Sequence, residues 1–195
     1  SLGDVVLITP SLKAIKEKFP RAKIHCLVGR ESALVLQRCP YIDELIIFDK
    51  SEHGGWWQLF MFSKKLRQYR FDLVIDFQNN RNSHLLSFLT LAKKRYGFDN
   101  GKLSFLLNNR IKDSLEKIPP VEHQFQILKA LGVDLPQKPL LELWPTQSDT
   151  HRIENLLDSE WIGPSTHLVG INVYASEKWP TNNWPLQHMA KLCDL

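Results

Sequence analysis

Near the start of the chain, apolar residues recur at helical spacing. Val5, Ile8, Leu12, Ile15 and Phe19 share one face, and Lys13, Lys16, Glu17 and Lys18 populate the other. This predicts a helix from Val5 to the Phe19-Pro20 stop. Pro10 falls early enough to be tolerated, with a kink at the start. Short runs rich in Ile, Leu, Val or Phe at 23–28, 44–48 and 73–77 read as strands buried on both faces, and 95–98 as a further short strand. Helical patterns at 32–38, 57–68, 83–91 and 120–131 separate or follow them, the last stopped by Gly132. Such alternation predicts βαβ units and a parallel sheet with right-handed crossovers. The expected fold is therefore α/β: a Rossmann-like sheet flanked by helices, followed by the beginning of a second Rossmann-like domain.

Pro136, Pro139 and Pro145 punctuate a stretch of poor periodicity, which places the boundary between residues 1–147 and 148–195. Beyond it, 149–157 reads as a helix, 168–173 as the first strand of the second domain, and 185–195 as helix-like. A turn feeding a helix ordinarily follows a strand, no Met precedes Ser1, and the last helical pattern stops without a breaker. The sequence is accordingly expected to be part of a longer chain.

Composition narrows the function. A net charge of +4 and a pI near 8.9 are too mild for a nucleic-acid-binding domain but suit an enzyme handling phosphates. Lys93-Lys94-Arg95, Lys102, Arg110 and Lys112 form a basic region suited to anionic headgroups or a phosphorylated acceptor. Cys26, Cys39 and Cys193 are too few and too unevenly spaced for a disulfide framework or a zinc site, which fits a reducing cytosol. No apolar run reaches membrane-span length, so membrane contact is expected to be peripheral. The aromatic run Trp56-Trp57-Gln58-Leu59-Phe60-Met61-Phe62 reads as core packing, with a lipid-touching helix as its alternative. No Gly-x-Gly-x-x-Gly follows a predicted strand, which counts against a dinucleotide oxidoreductase.

Two segments carry candidate chemistry. Ser1-Leu2-Gly3-Asp4 puts a small turn and a carboxylate at a helix start, where unpaired N–H groups and the helix dipole favour negative charge. A carboxylate there would repel phosphate, so Asp4 is either a general base facing a hydroxyl or a plain N-cap. Gln78-Asn79-Asn80-Arg81-Asn82-Ser83 follows a predicted strand and so falls at the carboxyl edge of a parallel sheet, where ligands bind. Amides, an Arg and a Ser suit a hydroxyl-rich sugar and a phosphate, although Asn-rich turns also arise from turn chemistry alone. Glu122-His123 opens a helix, where His123 could touch an acceptor or simply face solvent.

The stretch from Ser1-Leu2-Gly3-Asp4 through Pro20, the segment Phe71-Asp72-Leu73-Val74-Ile75-Asp76-Phe77-Gln78, and Val169-Gly170-Ile171-Asn172 leading to Ala175-Ser176 and Trp184-Pro185 occur in an order that resembles the ADP-heptose:lipopolysaccharide heptosyltransferases. The resemblance implies a two-domain GT-B glycosyltransferase that moves heptose from ADP-heptose to the lipid A–Kdo inner core with inversion. It implies no metal or other cofactor, and work at the cytoplasmic face of the inner membrane. It assigns Asp4 as catalytic base. The acceptor side falls to Gly3, Gln78, Asn79, Asn80, Arg81, Ser83 and His123, and the donor side to Ser176, Lys178, Thr181 and Asn182. Two departures stand out. The family's Lys before Trp-Pro is Asn182 here, leaving Lys178 as the nearest cation, and its Pro-Gly after Ile-Asn is Val173-Tyr174. A related transferase using another nucleotide sugar, and a non-catalytic acceptor-binding module, remain open alternatives.

Overall fold

The computed structural model describes residues 2–49, 55–113, 118–163, 165–171 and 184–193. The chain divides into two compact units, Ser1–Pro145 and Thr146–Leu195.

In the first unit the order is α1 (Leu2–Leu7), α2 (Thr9–Lys18), β1 (His25–Gly29), a 3-10 turn at Arg30–Ser32, α3 (Ala33–Leu36), β2 (Glu44–Phe48), α4 (Trp56–Arg67), β3 (Leu73–Ile75), α5 (Arg81–Leu89), β4 (Lys94–Asp99), β5 (Asn109–Lys112) and α6 (Pro120–Lys129). Among the described residues the strand pairings are parallel, β1 with β2 in one sheet and β4 between β3 and β5 in another. The α/β architecture of parallel strands flanked by helices is the one the alternation predicts. β4 is central, and Tyr96, Gly97 and Phe98 are all buried. β5 was not expected: Asn-Arg-Ile-Lys carries a single apolar residue, as an edge strand with one wet face can.

The N-terminal helix is broken where a kink was expected. α1 ends at Leu7, and α2 starts at Thr9 with Pro10 in its first turn. Pro10 has no N–H to give the Val6 carbonyl, and the Thr9 hydroxyl supplies that bond instead, at 2.9 Å. The same oxygen accepts the Glu142 N–H at 3.0 Å, so the buried Thr9 ties the helix junction to the end of the unit. Glu142 is also held by Lys13 Nζ at 2.7 Å and by the Tyr41 hydroxyl at 2.7 Å. These two donors, Lys13 first, keep its carboxyl below the usual range.

The cores follow the predicted faces only in part: Leu12 is buried as expected, but Phe19 is exposed, and Leu27 of β1 and Ile47 of β2 are exposed where burial on both faces was expected. Leu12 packs with Cys26, Val28, Ala33, Leu36 and Cys39, and burial pushes the Cys26 thiol up to about 12. Leu59, Phe62 and Leu66 of α4 meet Leu86 of α5, with Ile46 and Phe48 of β2 alongside. α6 inserts Phe125, Ile127 and Leu128, and the turn after its last residue, Lys129, closes at Gly132, whose φ of +72° suits the glycine that follows a helix.

In the second unit Thr146 caps α7 (Gln147–Ser159), exchanging bonds with Asp149, and α8 (Leu186–Cys193) follows. Residues 168–171 are irregular rather than the start of a strand. Val169 is exposed there, no strand among the described residues pairs with this run, and residues 172–173 of the expected strand lie outside the described residues. Among the described residues no helix is long and apolar enough to cross a membrane.

Candidate functional site

The segment after β3 is organised by one buried carboxylate. Asp76 continues the ladder by donating its N–H to Tyr96 O at 2.8 Å, then turns the chain with its side chain. Its Oδ1 accepts the N–H groups of Gln78 (2.9 Å) and Asn79 (3.0 Å), and its Oδ2 receives Nδ1–H of His84 at 2.8 Å. Asn79 sits in the left-handed region at φ +50°, which Asn tolerates better than most residues. Its Oδ1 accepts the Phe98 N–H at 3.0 Å and its carbonyl accepts Nδ2–H of Asn100 at 2.7 Å, pinning the turn to β4. Asn80 then caps α5, accepting the Ser83 N–H while the Ser83 hydroxyl accepts its own, each at 3.0 Å.

His84 is wholly buried on the inner face of α5. Its Nε2 lies 3.3 Å from Asn100 Oδ1. That oxygen is fixed as an acceptor, because it also takes the Lys102 N–H while Nδ2 donates to Asn79. Both ring nitrogens of His84 therefore face acceptors, an arrangement only the imidazolium satisfies completely. The Asp76 hydrogen bond raises the His84 pKa, against the opposing effect of burial. The result is a closed network of Asp76, His84, Asn100 and Asn79 at the carboxyl edge of β3 and β4.

The expected site residues divide into groups. Asn79, Asn80 and Ser83 spend their side chains on shaping this turn, whereas Gln78 and Arg81 are exposed at its surface. His123 lies on α6, stacked on Phe98 with centroids 4.0 Å apart, and its Nε2 bonds Asp113 at 2.8 Å. Gly3 and Asp4 do not form a turn ahead of a helix. They belong to the first turn of α1 and are exposed, because the helical pattern extends back through Leu2. α1 packs against α2, α3 and the Arg30–Ser32 turn. Ser176, Lys178, Thr181 and Asn182 lie outside the described residues.

Part of the basic region is committed internally. Arg95 donates to the carbonyls of Ala92 and Leu106 and lies over Phe88, and Arg110 pairs with Asp99 at 3.3 Å. Trp56 and Trp57 correct the core-packing expectation: they are 79% and 72% exposed, since the inner face of α4 is already filled by Leu59, Phe62 and Leu66. Asp76, His84 and Asn100 were not anticipated as a unit. A carboxylate ending a strand and a His on the inner face of the next helix was the available signal. Among the described residues no cluster of three His, Cys, Asp or Glu could hold a metal ion.

Residues 59–195 match the family model for glycosyltransferase family 9 (heptosyltransferase). The chain is 25% identical to lipopolysaccharide heptosyltransferase 2 of Salmonella typhimurium, an alignment covering 98% of this chain and 56% of that protein. In fold it is similar to a glycosyl transferase family 9 protein from Veillonella parvula, with TM-score 0.88 and 21% identity over 100% of this chain and 56% of the other. It is also similar to E. coli ADP-heptose LPS heptosyltransferase II, with TM-score 0.71 and 21% identity over 99% and 57%. The chain thus spans just over half the length of these relatives.

Proposed function

The chain belongs to glycosyltransferase family 9, and from that premise we propose that it serves inverting glycosyl transfer, with residues 1–147 on the acceptor side and 148–195 opening the nucleotide-sugar side. In this reading the enzyme passes heptose from ADP-heptose to the lipid A–Kdo core at the cytoplasmic face of the inner membrane. The observation that carries the reading is the family match, which runs from within α4 to the end of the chain and so reaches into both units. The relatives' names supply the substrates: one is a lipopolysaccharide heptosyltransferase, another an ADP-heptose LPS heptosyltransferase.

In the proposed reaction an acceptor hydroxyl attacks the anomeric carbon as the bond to the diphosphate breaks, and the hydroxyl proton passes to Asp4. A carboxylate is a weak base, so proton transfer comes late, when oxocarbenium character has made that oxygen acidic. Gln78 and Arg81, exposed on the turn built by Asp76, His84 and Asn79, are proposed to meet a hydroxylated, phosphorylated acceptor. Gly3, Asn79, Asn80, Ser83 and His123 complete the proposed acceptor side. Lys178, with Ser176, Thr181 and Asn182, is proposed for the leaving diphosphate.

Turnover by the full-length protein with ADP-heptose and a lipid A–Kdo acceptor, set against UDP and GDP sugars, tests this directly. Equal or better use of another nucleotide sugar would move the chain to a related specificity. The Asn182 departure favours one rival, a module that binds acceptor without transfer, which would bind the acceptor and show no turnover with any donor.

A further inference from the structure

α4 presents an apolar and basic outer face. Trp56 and Trp57 stand out at 79% and 72% exposure, and Met61, one turn beyond Trp57, is 45% exposed. Single exposed apolar residues are ordinary on a protein surface, but two adjacent tryptophans continued by a methionine make a contiguous patch. Two turns further along the same helix, Lys64 and Lys65 are exposed. From Gly55 to Arg70 the charged residues are Lys64, Lys65, Arg67 and Arg70, with no Asp or Glu among them. The cations reach back toward the aromatic end, with Lys64 Nζ 5.2 Å and Arg67 Cζ 5.7 Å from the Phe60 ring. At about 1.5 Å rise per residue, the lysines sit about 12 Å behind the tryptophans along the axis. Trp side chains concentrate at the headgroup–acyl boundary, and lysines beside them attract anionic lipid phosphates.

We infer that this face of α4 docks on an anionic lipid bilayer, with Trp56, Trp57 and Met61 entering the headgroup region and Lys64 and Lys65 meeting lipid phosphates. Position in the fold supports the assignment. α4 and α5 each start beyond the carboxyl end of a parallel strand, β2 and β3, and they pack on one another through Leu59, Phe62 and Leu86. The helix that carries the tryptophans thus packs on the helix that the Gln78–Ser83 turn opens. The inference deepens the proposed function and rests on it for its biological sense: docking would hold the acceptor turn at the surface in which a lipid-linked acceptor is embedded.

The test uses the full-length protein and co-sedimentation with phosphatidylcholine vesicles, with and without phosphatidylglycerol. Binding is expected with phosphatidylglycerol present, weakened about tenfold or more in Lys64→Gln/Lys65→Gln and in Trp56→Ser/Trp57→Ser. Those variants should lose transfer to a vesicle-embedded acceptor while keeping transfer to the same core saccharide freed of its lipid. Unchanged vesicle affinity in both double variants would overturn the inference. So would a parent protein that ignores anionic vesicles and drops in Tm by several degrees in Trp56→Ser/Trp57→Ser, because the face would then be covered by the rest of the chain. Vesicle binding needs no turnover, so α4-dependent binding without heptose transfer would overturn the proposed function alone.

Discussion

His84 is where a single side chain does most to shape the candidate site. It closes the bonds of Asp76 and Asn100, and its removal would leave a buried carboxylate without its cation. His84→Ala should therefore destabilise the first unit by about 3–5 kcal/mol in urea unfolding, the scale of a broken buried pair. The sign of its pH dependence follows from the raised pKa. The His84 contribution is fully present below the unfolded value near 6.5 and is lost as pH rises through the folded value. Stability of the first unit should thus fall from about pH 6.5 upward, and His84→Gln, neutral throughout, should flatten that slope. A slope unchanged in His84→Gln would assign it to another histidine. Asp4 is the second residue with a sharp expectation. If it is the base, Asp4→Asn in the full-length enzyme should lower kcat by about 100-fold or more with donor binding intact. If it only supports the start of α1, Asn should substitute almost silently.

Between elements, the α1–α2 junction and the β4–turn contact are the places where one atom decides. Thr9→Val keeps shape but removes the hydroxyl that serves both the Val6 carbonyl and the Glu142 N–H. Two partly buried backbone groups then lose this partner, and a cost of about 1–2 kcal/mol is expected, read as a lower urea midpoint. Gly97 leaves room for the Asn79 turn. A Cβ there would lie 2.7 Å from Leu107 Cδ1, 3.4 Å from Asn79 Oδ1 and 3.4 Å from Asp76 Cβ. Gly97→Ala should cost about 1–3 kcal/mol and loosen the turn, seen as faster amide exchange at Phe98 and Asn79.

For the whole molecule, the division at Pro145 suggests that each unit carries its own stability. Residues 1–145 expressed alone should keep the parallel sheets and the unfolding midpoint that the first unit shows in the full-length protein. A collapse of that midpoint would show that the remaining chain is needed to hold the first unit. In the full-length protein, Lys178→Ala should weaken ADP binding by about tenfold, as expected for loss of a charge-assisted phosphate contact. Unchanged affinity in Lys178→Ala, with a gain in Asn182→Lys, would assign the diphosphate to another cation.

Much of the fold was legible in the sequence because it depends on local periodicity. The run Glu44–Phe48 is a strand as read, α6 stops short of Gly132, and Leu12 faces the core, since burying apolar side chains at period two or 3.6 has few solutions. The motif order by itself also pointed to the family. Other features needed the tertiary structure. β5 is held by pairing with β4 rather than by its own apolar content. Whether Trp56 and Trp57 point inward depended on Leu59, Phe62 and Leu66 having already filled the inner face of α4. The Asp76–His84–Asn100 network joins residues from the end of β3, from α5 and from beyond β4, and no local pattern encodes contacts that exist only once the strands lie side by side.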